Sequence, residues 1–346
     1  MGGQKMGRIA FVDPCCTAGY DLPDLSRGGL GGTEATILRL GAALHDQFDI
    51  TQYQNGRFWP QTSYAGRLRP LAEAFEGLTA DTIVVINRWK VALKLRKAYP
   101  DTPIYLWLHV FPGRHNRKMG AALQRAGITV ICVSHSHARH VTAFLGQTGG
   151  PRVTAIYNPI ADDLCADATR RDPNRLLFAS SPHKGLAEVF GQFAELRRSI
   201  PRLKLAVADP GYLRWDVGRV PLGVTFLGSL SHAALVAQMR KSLCLFCPQT
   251  SFAETFGLVL AEANAVGTPV LVHAGLGAND EIVGGAGQRI DGCNPAQILD
   301  RISLWRDAPP KVSTNPEFRL SRVAQAWTRL LRHPAAQTPQ HHDMMV

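Results

Sequence analysis

Short apolar runs alternate with longer amphipathic segments along this chain of 346 residues. In the first half, runs short enough for buried strands lie at residues 9–12, 83–86, 104–108, 129–133 and 153–156. Segments with helical spacing of their apolar positions lie at residues 33–45, 91–99, 117–126 and 136–145. Strands that alternate with helices are typical of βαβ units around a mainly parallel sheet. The first half is therefore expected to form a doubly wound α/β domain.

The same alternation restarts after a polar segment at residues 158–174, whose acidic pair and two prolines are typical of a linker. Apolar runs that predict strands lie at residues 176–179, 203–207, 224–227, 243–246 and 270–272. Segments that predict helices lie at residues 185–199, 233–241, 256–265 and 295–305. We therefore expect two doubly wound α/β domains, at residues 1–158 and 159–314, that face each other across a central cleft.

The C-terminal end contains one more amphipathic segment. Apolar side chains at Phe318, Val323, Trp327 and Leu331 recur close to helical spacing, which predicts a helix within residues 315–333. Residues 334–346 are rich in Pro, Gln and His and are expected to form a frayed tail.

Composition limits the class of protein. Apolar residues make up 45% and charged residues 19%, which fits a soluble globular protein, and the length favours two domains over one. No run approaches the ~20 apolar residues that a membrane-spanning helix needs. The first apolar run includes Asp13, which argues against a secretory signal. We expect a cytoplasmic protein.

The net charge of +11 is large, and its lysines and arginines concentrate at residues 88–97 and 114–118. Trp89, Val91 and Leu93 stand beside lysines in a predicted helix, which could rest on the anionic inner face of a membrane. A solvated basic helix explains the same pattern, and both interpretations stay open. Nucleic acid is not expected as a partner, because no recognised binding module accompanies the charge.

The cysteines and histidines predict neither a disulfide scaffold nor a metal site. Seven cysteines are spread along the chain. Cys244 and Cys247 have redox or zinc spacing, but they lie in an apolar run without a second ligand pair nearby. His137 and His140 lie one helical turn apart, and no carboxylate or cysteine completes the set. No metal or other cofactor is expected.

The most informative motif is a pair of carboxylates, Glu254 and Glu262, eight residues apart. The pair follows a predicted strand and accompanies the start of a predicted helix, at the edge where open α/β sheets bind ligands. Eight helical residues span roughly 12 Å. The first acid could reach the sugar of a nucleotide sugar while the second holds its ribose, with the diphosphate near the helix N-terminus. Two solvated helix acids are the alternative.

Three other features could contribute to such a site. The glycine-rich run from Gly28 to Glu34 precedes the first strong helix and lets the backbone approach a diphosphate closely, although a plain flexible turn is the alternative. His109 ends a predicted strand, where it is either structural or able to donate a hydrogen bond to a sugar hydroxyl. Lys184-Gly185 follows the first strand of the second domain, and a surface lysine without a role is the alternative there.

Several of these residues together resemble the signature of the retaining GT-B glycosyltransferases known as family four, or glycosyltransferases group 1. Phe256-Gly257 follows Glu254 closely, Ala263 follows Glu262, and Gly267-x-Pro-Val comes next. Gly31-Gly32-x-Glu34 resembles the glycine entrance of the same family, and the resemblance extends from about residue 9 to residue 331. It implies the GT-B fold, with two Rossmann-like domains and a last helix that crosses back to the first domain.

The resemblance implies transfer of a sugar from a nucleotide-diphosphate sugar to an acceptor hydroxyl, with retention of configuration and without an obligatory metal. Glu262 is expected to bind the ribose diol, Glu254 a sugar hydroxyl, and His109 to line the acceptor side. Lys184 is expected to balance the departing diphosphate. The remaining expected donor contacts are the N–H groups near Phe256, Gly257 and Leu258, the backbone of Gly31 and Gly32, and Ser180.

One departure from the family pattern bears on activity. Family members usually carry Gly-Arg shortly before Lys-Gly, whereas this chain has Ala179-Ser180-Ser181. Either Lys184 works with Ser180, Ser181 or His183, or the chain is a weak or inactive relative that only binds a nucleotide sugar or glycan. An NAD-dependent enzyme is disfavoured because the loop at Gly28 lacks the dinucleotide fingerprint. The basic charge favours a lipid-linked acceptor or a glycan precursor in cell-surface or lipopolysaccharide assembly.

Overall fold

A computed structural model describes residues 5–146, 149–211 and 216–333. The chain divides into two compact units: unit 1 comprises Met1–Leu22, Thr33–Pro159 and Leu320–Val346, and unit 2 comprises Pro23–Gly32 and Ile160–Arg319. Residues 23–32, which the sequence pattern assigned to the first domain, cluster with unit 2 instead. The tail predicted at residues 334–346 lies outside the described residues.

The strands are, in chain order, β1 (Arg8–Asp13), β2 (Asp49–Gln54), β3 (Gln61–Ser63), β4 (Gly66–Pro70), β5 (Thr82–Ile86), β6 (Ile104–Leu108), β7 (Thr129–Cys132), β8 (Val153–Ala155), β9 (Asp172–Ala179), β10 (Lys204–Ala208), β11 (Val224–Gly228), β12 (Ser242–Cys247), β13 (Val270–His273) and β14 (Arg289–Ile290). The α-helices are α1 (Asp24–Arg27), α2 (Gly32–Leu44), α3 (Trp89–Ala98), α4 (Met119–Arg125), α5 (His135–Leu145), α6 (Leu186–Ser199), α7 (His232–Lys241), α8 (Leu258–Ala265), α9 (Asn279–Ile282), α10 (Pro295–Asp307) and α11 (Leu320–Arg332).

Unit 1 is built on an eight-stranded sheet of order β3-β4-β2-β1-β5-β6-β7-β8. Its pairs are parallel except for β3 with β4 at the edge. Every residue of β5 and β6 is buried, as expected for parallel strands covered on both faces. The continuous apolar runs at residues 83–86 and 104–108 are thus interior strands of this sheet.

Strands β2 to β4 were missed by the sequence pattern, because their polar residues conceal them. Gln52 and Gln54 of β2 are buried, and they donate to the carbonyls of Ala65 and Tyr20 at 2.8 and 3.0 Å. A buried amide that is hydrogen-bonded does not destabilise a core strand as an unpaired one would. Hydrophobic periodicity alone cannot detect such a strand.

The last helix, α11, belongs to unit 1. Its residue Trp327 is fully buried, with its ring centroid 4.7 Å from that of Trp107 and 6.1 Å from that of Phe11. These partners lie on β6 and β1, so the helix packs an aromatic side chain directly onto the central strands. The C-terminal segment is therefore a structural part of the first unit.

Unit 2 contains a six-stranded parallel sheet of order β11-β10-β9-β12-β13-β14. Strands β9 and β12 lie in the middle of this sheet. Strand β9 begins at Asp172, within the segment predicted as a linker. Leu177 of β9 pairs with Leu245 of β12, so the loops after these two strands leave the same edge of the sheet side by side. That edge is where ligands bind in open α/β sheets.

The basic helix α3 uses its apolar side chains within unit 1. Trp89, Val91 and Leu93 pack against the core of the unit, and Arg96 is buried with hydrogen bonds to the carbonyls of Pro100 and Thr102. Membrane contact of this helix stays a prediction, and any such contact would rest on its exposed lysines. Among the described residues, no helix is long and apolar enough to cross a membrane.

Candidate functional site

The loop between β12 and α8 carries Glu254 and is fixed from several sides. Oε1 of Gln249 accepts hydrogen bonds from the backbone N–H groups of Ser251 and Phe252, at 2.9 and 2.7 Å. The carbonyl of Glu254 accepts from the N–H of Ala278 at 2.9 Å. A Cβ on Gly277 would lie 2.5 Å from the same carbonyl, so only glycine fits there. The backbone around Glu254 is therefore tightly constrained.

Helix α8 begins at Leu258, two residues later than the sequence pattern predicts. Its N-cap is Gly257, whose φ of +90° lies in the left-handed region that favours glycine. Glu254 precedes the helix, so the estimate of roughly 12 Å for eight helical residues does not apply to the two acids. Phe256 turns its ring into the core, 5.1 Å from that of Phe318, and can contribute only its backbone to a ligand.

Lys184 and Glu254 form an ion pair. The Nζ atom of Lys184 lies 2.8 Å from Oε1 and 3.1 Å from Oε2 of Glu254, and the side chains are 25% and 19% exposed. The ammonium also lies 5.1 Å from the ring centroid of Phe252, within range of a cation–π contact. Two residues predicted for different parts of a donor are therefore direct partners in the structure.

Lys184 is placed by the turn between β9 and α6. Gly185 caps α6 with a φ of +88°, and a Cβ there would lie 2.7 Å from that of Gln249. The N–H of Lys184 donates to the carbonyl of Ser181 at 3.0 Å, closing the turn. The ring of His183 packs edge-on against Phe252 at 5.4 Å, and burial together with the nearby Lys184 charge lowers its pKa. The lowered pKa thus disfavours a charged imidazole at His183.

A small cavity of about 20 Å³ lies between these two loops, which is room for about one water molecule. Its lining includes Ser180, Lys184, Gln249, Glu254, Leu260 and Asn279. The paired side chains of Lys184 and Glu254 form part of its wall.

Glu262 is buried on α8 and contacts α7. Its side chain is 5% exposed, and its Oε1 lies 2.9 Å from Nε2 of His232, the first residue of α7. With an ionised carboxylate, which only accepts hydrogen bonds, Nε2 of His232 is the donor in this contact. The oxygen predicted to bind a ribose is thus already held by an imidazole.

The glycine-rich loop, up to Gly32, is part of unit 2 and packs against the rest of that unit at two points. A Cβ on Gly28, whose φ is +87°, would lie 2.6 Å from the carbonyl oxygen of Leu230, just before α7. A Cβ on Gly32 would lie 3.1 Å from Cδ1 of Leu258, at the start of α8. Gly31 lies between these contacts in the chain. The structure therefore brings the predicted glycine loop next to both helices that carry the His232–Glu262 contact.

His109 directly follows β6 in unit 1. Its backbone N–H donates to Oδ1 of Asn87 at 2.7 Å, and its ring lies 4.5 Å from that of Trp107. Burial, with a smaller effect from His137, lowers its pKa to about 3. The imidazole is therefore neutral at physiological pH, in the form that can both donate and accept a hydrogen bond.

The histidines of α5 serve packing and capping in unit 1. Nδ1 of His137 accepts from the N–H of Val133 at 3.4 Å, and Nε2 lies 3.2 Å from the carbonyl of Val110. Burial lowers the pKa of His137 to about 4. Within the described ranges, no group of three His, Cys, Asp or Glu side chains could hold a metal ion. Burial also raises the pKa of Cys247 to about 12, so that thiol is neutral.

Three residues that shape the site are not marked by any sequence motif. They are His232, Phe252 and Asn279. The packing of α7, of the loop after β12 and of α9 brings these side chains to the site. The signal for His232 was weak: Ser231, a helix N-cap residue, directly precedes it, which marks it as the first residue of a helix.

Comparison with known proteins identifies the family that the second unit resembles. Residues 170–315 match the model of the family described as glycosyl transferases group 1. The predicted resemblance is confirmed for this segment, which contains Lys184, Glu254 and Glu262.

Two curated relatives come from Mycobacterium tuberculosis. A glycogen synthase is 29% identical over 274 residues, which is 72% of this chain and 64% of that protein. A phosphatidyl-myo-inositol mannosyltransferase is 30% identical over 133 residues, 35% of each chain. The match thus spans less than two thirds of the length of the glycogen synthase.

Solved structures establish the fold. The crystal structure of an α,α-trehalose-phosphate synthase (UDP-forming) from Burkholderia vietnamiensis matches with a TM-score of 0.71, at 14% identity, over 96% of this chain and 100% of that one. The predicted α/β architecture of the GT-B type, with two parallel-sheet domains, is confirmed.

Proposed function

We propose that this protein is a glycosyltransferase, which moves a sugar from a nucleotide-diphosphate sugar to an acceptor hydroxyl with retention of anomeric configuration. The observation that carries the proposal is the pairing of Lys184 with Glu254 at one edge of the unit 2 sheet, inside the segment that matches the family and that also contains Glu262. The names of the relatives, a glycogen synthase and a mannosyltransferase, support sugar transfer as the reaction class.

The ion pair between Lys184 and Glu254 would be exchanged when a donor binds. The ammonium would turn from the carboxylate to the diphosphate, and Glu254 would accept a hydrogen bond from a sugar hydroxyl instead. Each group trades one charged or polar partner for another, so binding does not leave either of them buried and unpaired. The contact thus keeps both side chains at the place where the donor would need them.

Breaking the bond between the anomeric carbon and the phosphate oxygen leaves negative charge on the β-phosphate. Lys184 and the N-terminal end of α8, near Gly257 and Leu258, would stabilise that charge more in the transition state than in the bound donor. The N–H of Phe256 and the backbone of Gly31 and Gly32 would hold the donor, with Ser180 beside the phosphates. This proposal requires no metal.

The finer features of the proposal rest on sequence alone. We propose that His109 lines the acceptor side, where a neutral imidazole can donate to a sugar hydroxyl. We also propose that the acceptor is a glycan or a lipid-linked precursor in cell-surface or lipopolysaccharide assembly, and that the protein acts in the cytoplasm, peripherally at an anionic membrane. The support is the exposed basic charge near α3 and α4.

The test is a thermal-shift screen followed by an assay of donor consumption. UDP, GDP, ADP and dTDP, and sugars linked to each, are added to the full chain, and a matched nucleotide raises the melting temperature as its occupancy rises. Release of the nucleoside diphosphate is then measured with glycan and lipid-linked acceptors. If no nucleotide or nucleotide sugar shifts the melting temperature, the proposal fails.

A second candidate is a relative that binds nucleotide sugars without transferring them. The observation that favours it is the sequence Ala179-Ser180-Ser181, which supplies no cation beside Lys184, together with the lowered pKa of His183. A shift in melting temperature without release of nucleoside diphosphate, for any acceptor or for water, would support this candidate over transfer.

A further inference from the structure

The net positive charge of the chain lies almost entirely in unit 1. With histidines neutral, unit 1 contains 20 Lys and Arg against 10 Asp and Glu, a net charge of +10, whereas unit 2 contains 18 against 17, a net charge of +1. Both units have the same class of fold, so the fold itself does not require this asymmetry. A charge of this size favours an anionic partner for unit 1.

The loop after β2, residues 55–60, is held firmly against the rest of unit 1. Nη2 of Arg57 donates to the carbonyl of Tyr20 at 3.0 Å. A Cβ on Gly56, whose φ is +72°, would lie 2.4 Å from the carbonyl oxygen of Thr17, so only glycine fits there. The backbone of this loop is therefore tightly constrained where its next two side chains begin.

Two aromatic side chains project from this constrained loop. Phe58 is 79% exposed and Trp59 is 80% exposed, so neither ring gains the stabilisation that burial in the core would give. Rings that project this far do not form the wall of a concave ligand site. Phe and Trp are instead typical of segments that enter the headgroup region of a membrane, where the apolar ring leaves water.

Exposed basic side chains lie at the same edge of the unit 1 sheet as these two rings. Strands β2, β1, β5 and β6 are parallel neighbours, so the loops after them leave one edge, here called the carboxyl edge of unit 1. Arg88 follows β5, and Arg114, Arg117 and Lys118 follow β6. Val110, also after β6, adds an apolar side chain that is 51% exposed. Cations and exposed apolar side chains therefore share the carboxyl edge.

We propose that the carboxyl edge of unit 1 docks on an anionic membrane surface, with the rings of Phe58 and Trp59 inserted between lipid headgroups and the exposed cations against lipid phosphates. The inference rests on the proposed function, which has the protein act at an anionic membrane, and it names the segment that enters the lipid. Helix α3 does not supply that segment, because Trp89, Val91 and Leu93 pack against the core of the unit.

The experiment measures binding of the full chain to lipid vesicles in the absence of any nucleotide. Vesicles of phosphatidylcholine, with and without phosphatidylglycerol, are sedimented with wild type and with the Phe58→Ser/Trp59→Ser variant. The matched control is Leu222→Ser/Leu304→Ser, which removes two exposed apolar side chains of unit 2. Quenching of tryptophan fluorescence by lipids with brominated acyl chains reports whether a ring enters the vesicle. Trp59→Phe keeps an apolar ring and removes the fluorophore.

We expect wild type to bind the anionic vesicles at least about tenfold more tightly than the neutral ones. Phe58→Ser/Trp59→Ser should weaken binding to anionic vesicles by about 10–100-fold, because no ring is then transferred from water. Arg114→Gln/Arg117→Gln/Lys118→Gln should weaken it by about tenfold or more. The unit 2 control should bind as wild type does, and Trp59→Phe should bind while losing most of the quenching.

Three outcomes overturn the inference. They are a wild type that does not bind anionic vesicles, a folded Phe58→Ser/Trp59→Ser variant that binds them like wild type, and an equal loss of binding in the unit 2 control. Weaker affinity of the double variant for a soluble glycan acceptor, with vesicle binding unchanged, would assign the loop to saccharide recognition instead. Melting temperatures verify folding, and Trp59→Ser alone replaces a double variant that does not fold.

The proposed function is tested separately by adding nucleotide sugars to the same preparations. A chain whose vesicle binding depends on Phe58 and Trp59, but whose melting temperature no nucleotide or nucleotide sugar shifts, would contradict sugar transfer and support the docking surface. A chain that binds a nucleotide sugar but no anionic vesicle would contradict the docking surface alone.

Discussion

Lys184 and Glu254 are 70 positions apart in the chain, yet the ammonium of one lies within 2.8 and 3.1 Å of both carboxylate oxygens of the other. The side chains are only 25% and 19% exposed, so each charge has lost most of its contact with water and is stabilised by the opposite charge of its partner. A ligand that enters between them must offer an anion to Lys184 and a hydrogen-bond donor to Glu254. A sugar linked to a diphosphate carries both.

Replacing Lys184 should therefore impair chemistry more than folding. We expect Lys184→Ala to lower the rate of sugar transfer by about 10²–10³-fold, the effect of removing one group that stabilises developing negative charge. The measurement is the single-turnover rate of nucleoside diphosphate release, with the melting temperature of each variant. Lys204→Ala changes an exposed lysine of the same unit and should leave the rate unchanged. A Lys184→Ala enzyme with the wild-type rate would remove Lys184 from the mechanism.

Gly292 should control the position of the loop that carries Glu254. A Cβ at this residue would lie 1.9 Å from the carbonyl oxygen of Pro248, at the start of that loop. We expect Gly292→Ala to lower the free energy of unfolding by about 1–3 kcal/mol, because backbone must move to accommodate the methyl group. Denaturant unfolding measures the change in stability. Calorimetry with the matched nucleotide measures whether displacement of the loop changes the affinity for the ligand.

The matched control for Gly292 is Gly191, an exposed glycine within α6. A Cβ there meets no atom within 4 Å. Gly191→Ala should raise the free energy of unfolding by about 0.5–1 kcal/mol, because alanine favours the helix. If the two substitutions changed the free energy of unfolding equally, the close approach of Gly292 to Pro248 would be contradicted.

Two buried histidines should make unit 1 sensitive to acid. The pKa values of His109 and His137 are lowered to about 3 and 4 in the folded protein, against about 6.5 in the unfolded chain. Between these values the unfolded state therefore binds more protons than the folded state. The contribution of the two histidines to the free energy of unfolding is fully present above pH 6.5 and is lost as the pH drops toward 4. The slope should reach about 1.4 kcal/mol per pH unit for each histidine.

Urea unfolding between pH 7.5 and 5 measures this slope. His137→Gln should reduce it, whereas His115→Gln, a change at an exposed position, should not. A slope that is identical in wild type and in both variants would show that other groups control acid stability.

Trp327 should anchor the last helix to unit 1. Its ring is fully buried against Trp107 and Phe11, so truncation leaves a large cavity beside the central strands. We expect Trp327→Ala to lower the free energy of unfolding by about 3–5 kcal/mol. Hydrogen exchange of peptides from β1 and β6 should accelerate, whereas the exposed Arg329→Ala change on the same helix should leave it unchanged. Unchanged exchange in Trp327→Ala would show that the helix is dispensable.

Much of the fold followed from local pattern. Buried parallel strands produce continuous apolar runs, and the runs at residues 83–86 and 104–108 match β5 and β6 closely. Strand β2 could not be found in this way, because Gln52 and Gln54 are buried through hydrogen bonds that only the folded chain supplies. The start of α8 was predicted two residues too early. Its N-cap, Gly257, has a left-handed backbone conformation, which hydrophobic periodicity cannot reveal.

The class of fold and three candidate side chains, Lys184, Glu254 and Glu262, could be inferred from the amino-acid pattern, because each side chain lies within a few residues of a strand or helix that the pattern predicts. The pairing of Lys184 with Glu254 and the contact of His232 with Glu262 could be found only in the folded chain. Those contacts depend on which strands lie side by side and on how two helices pack, and distances between segments 30 to 70 residues apart are set by the whole core and not by any local pattern.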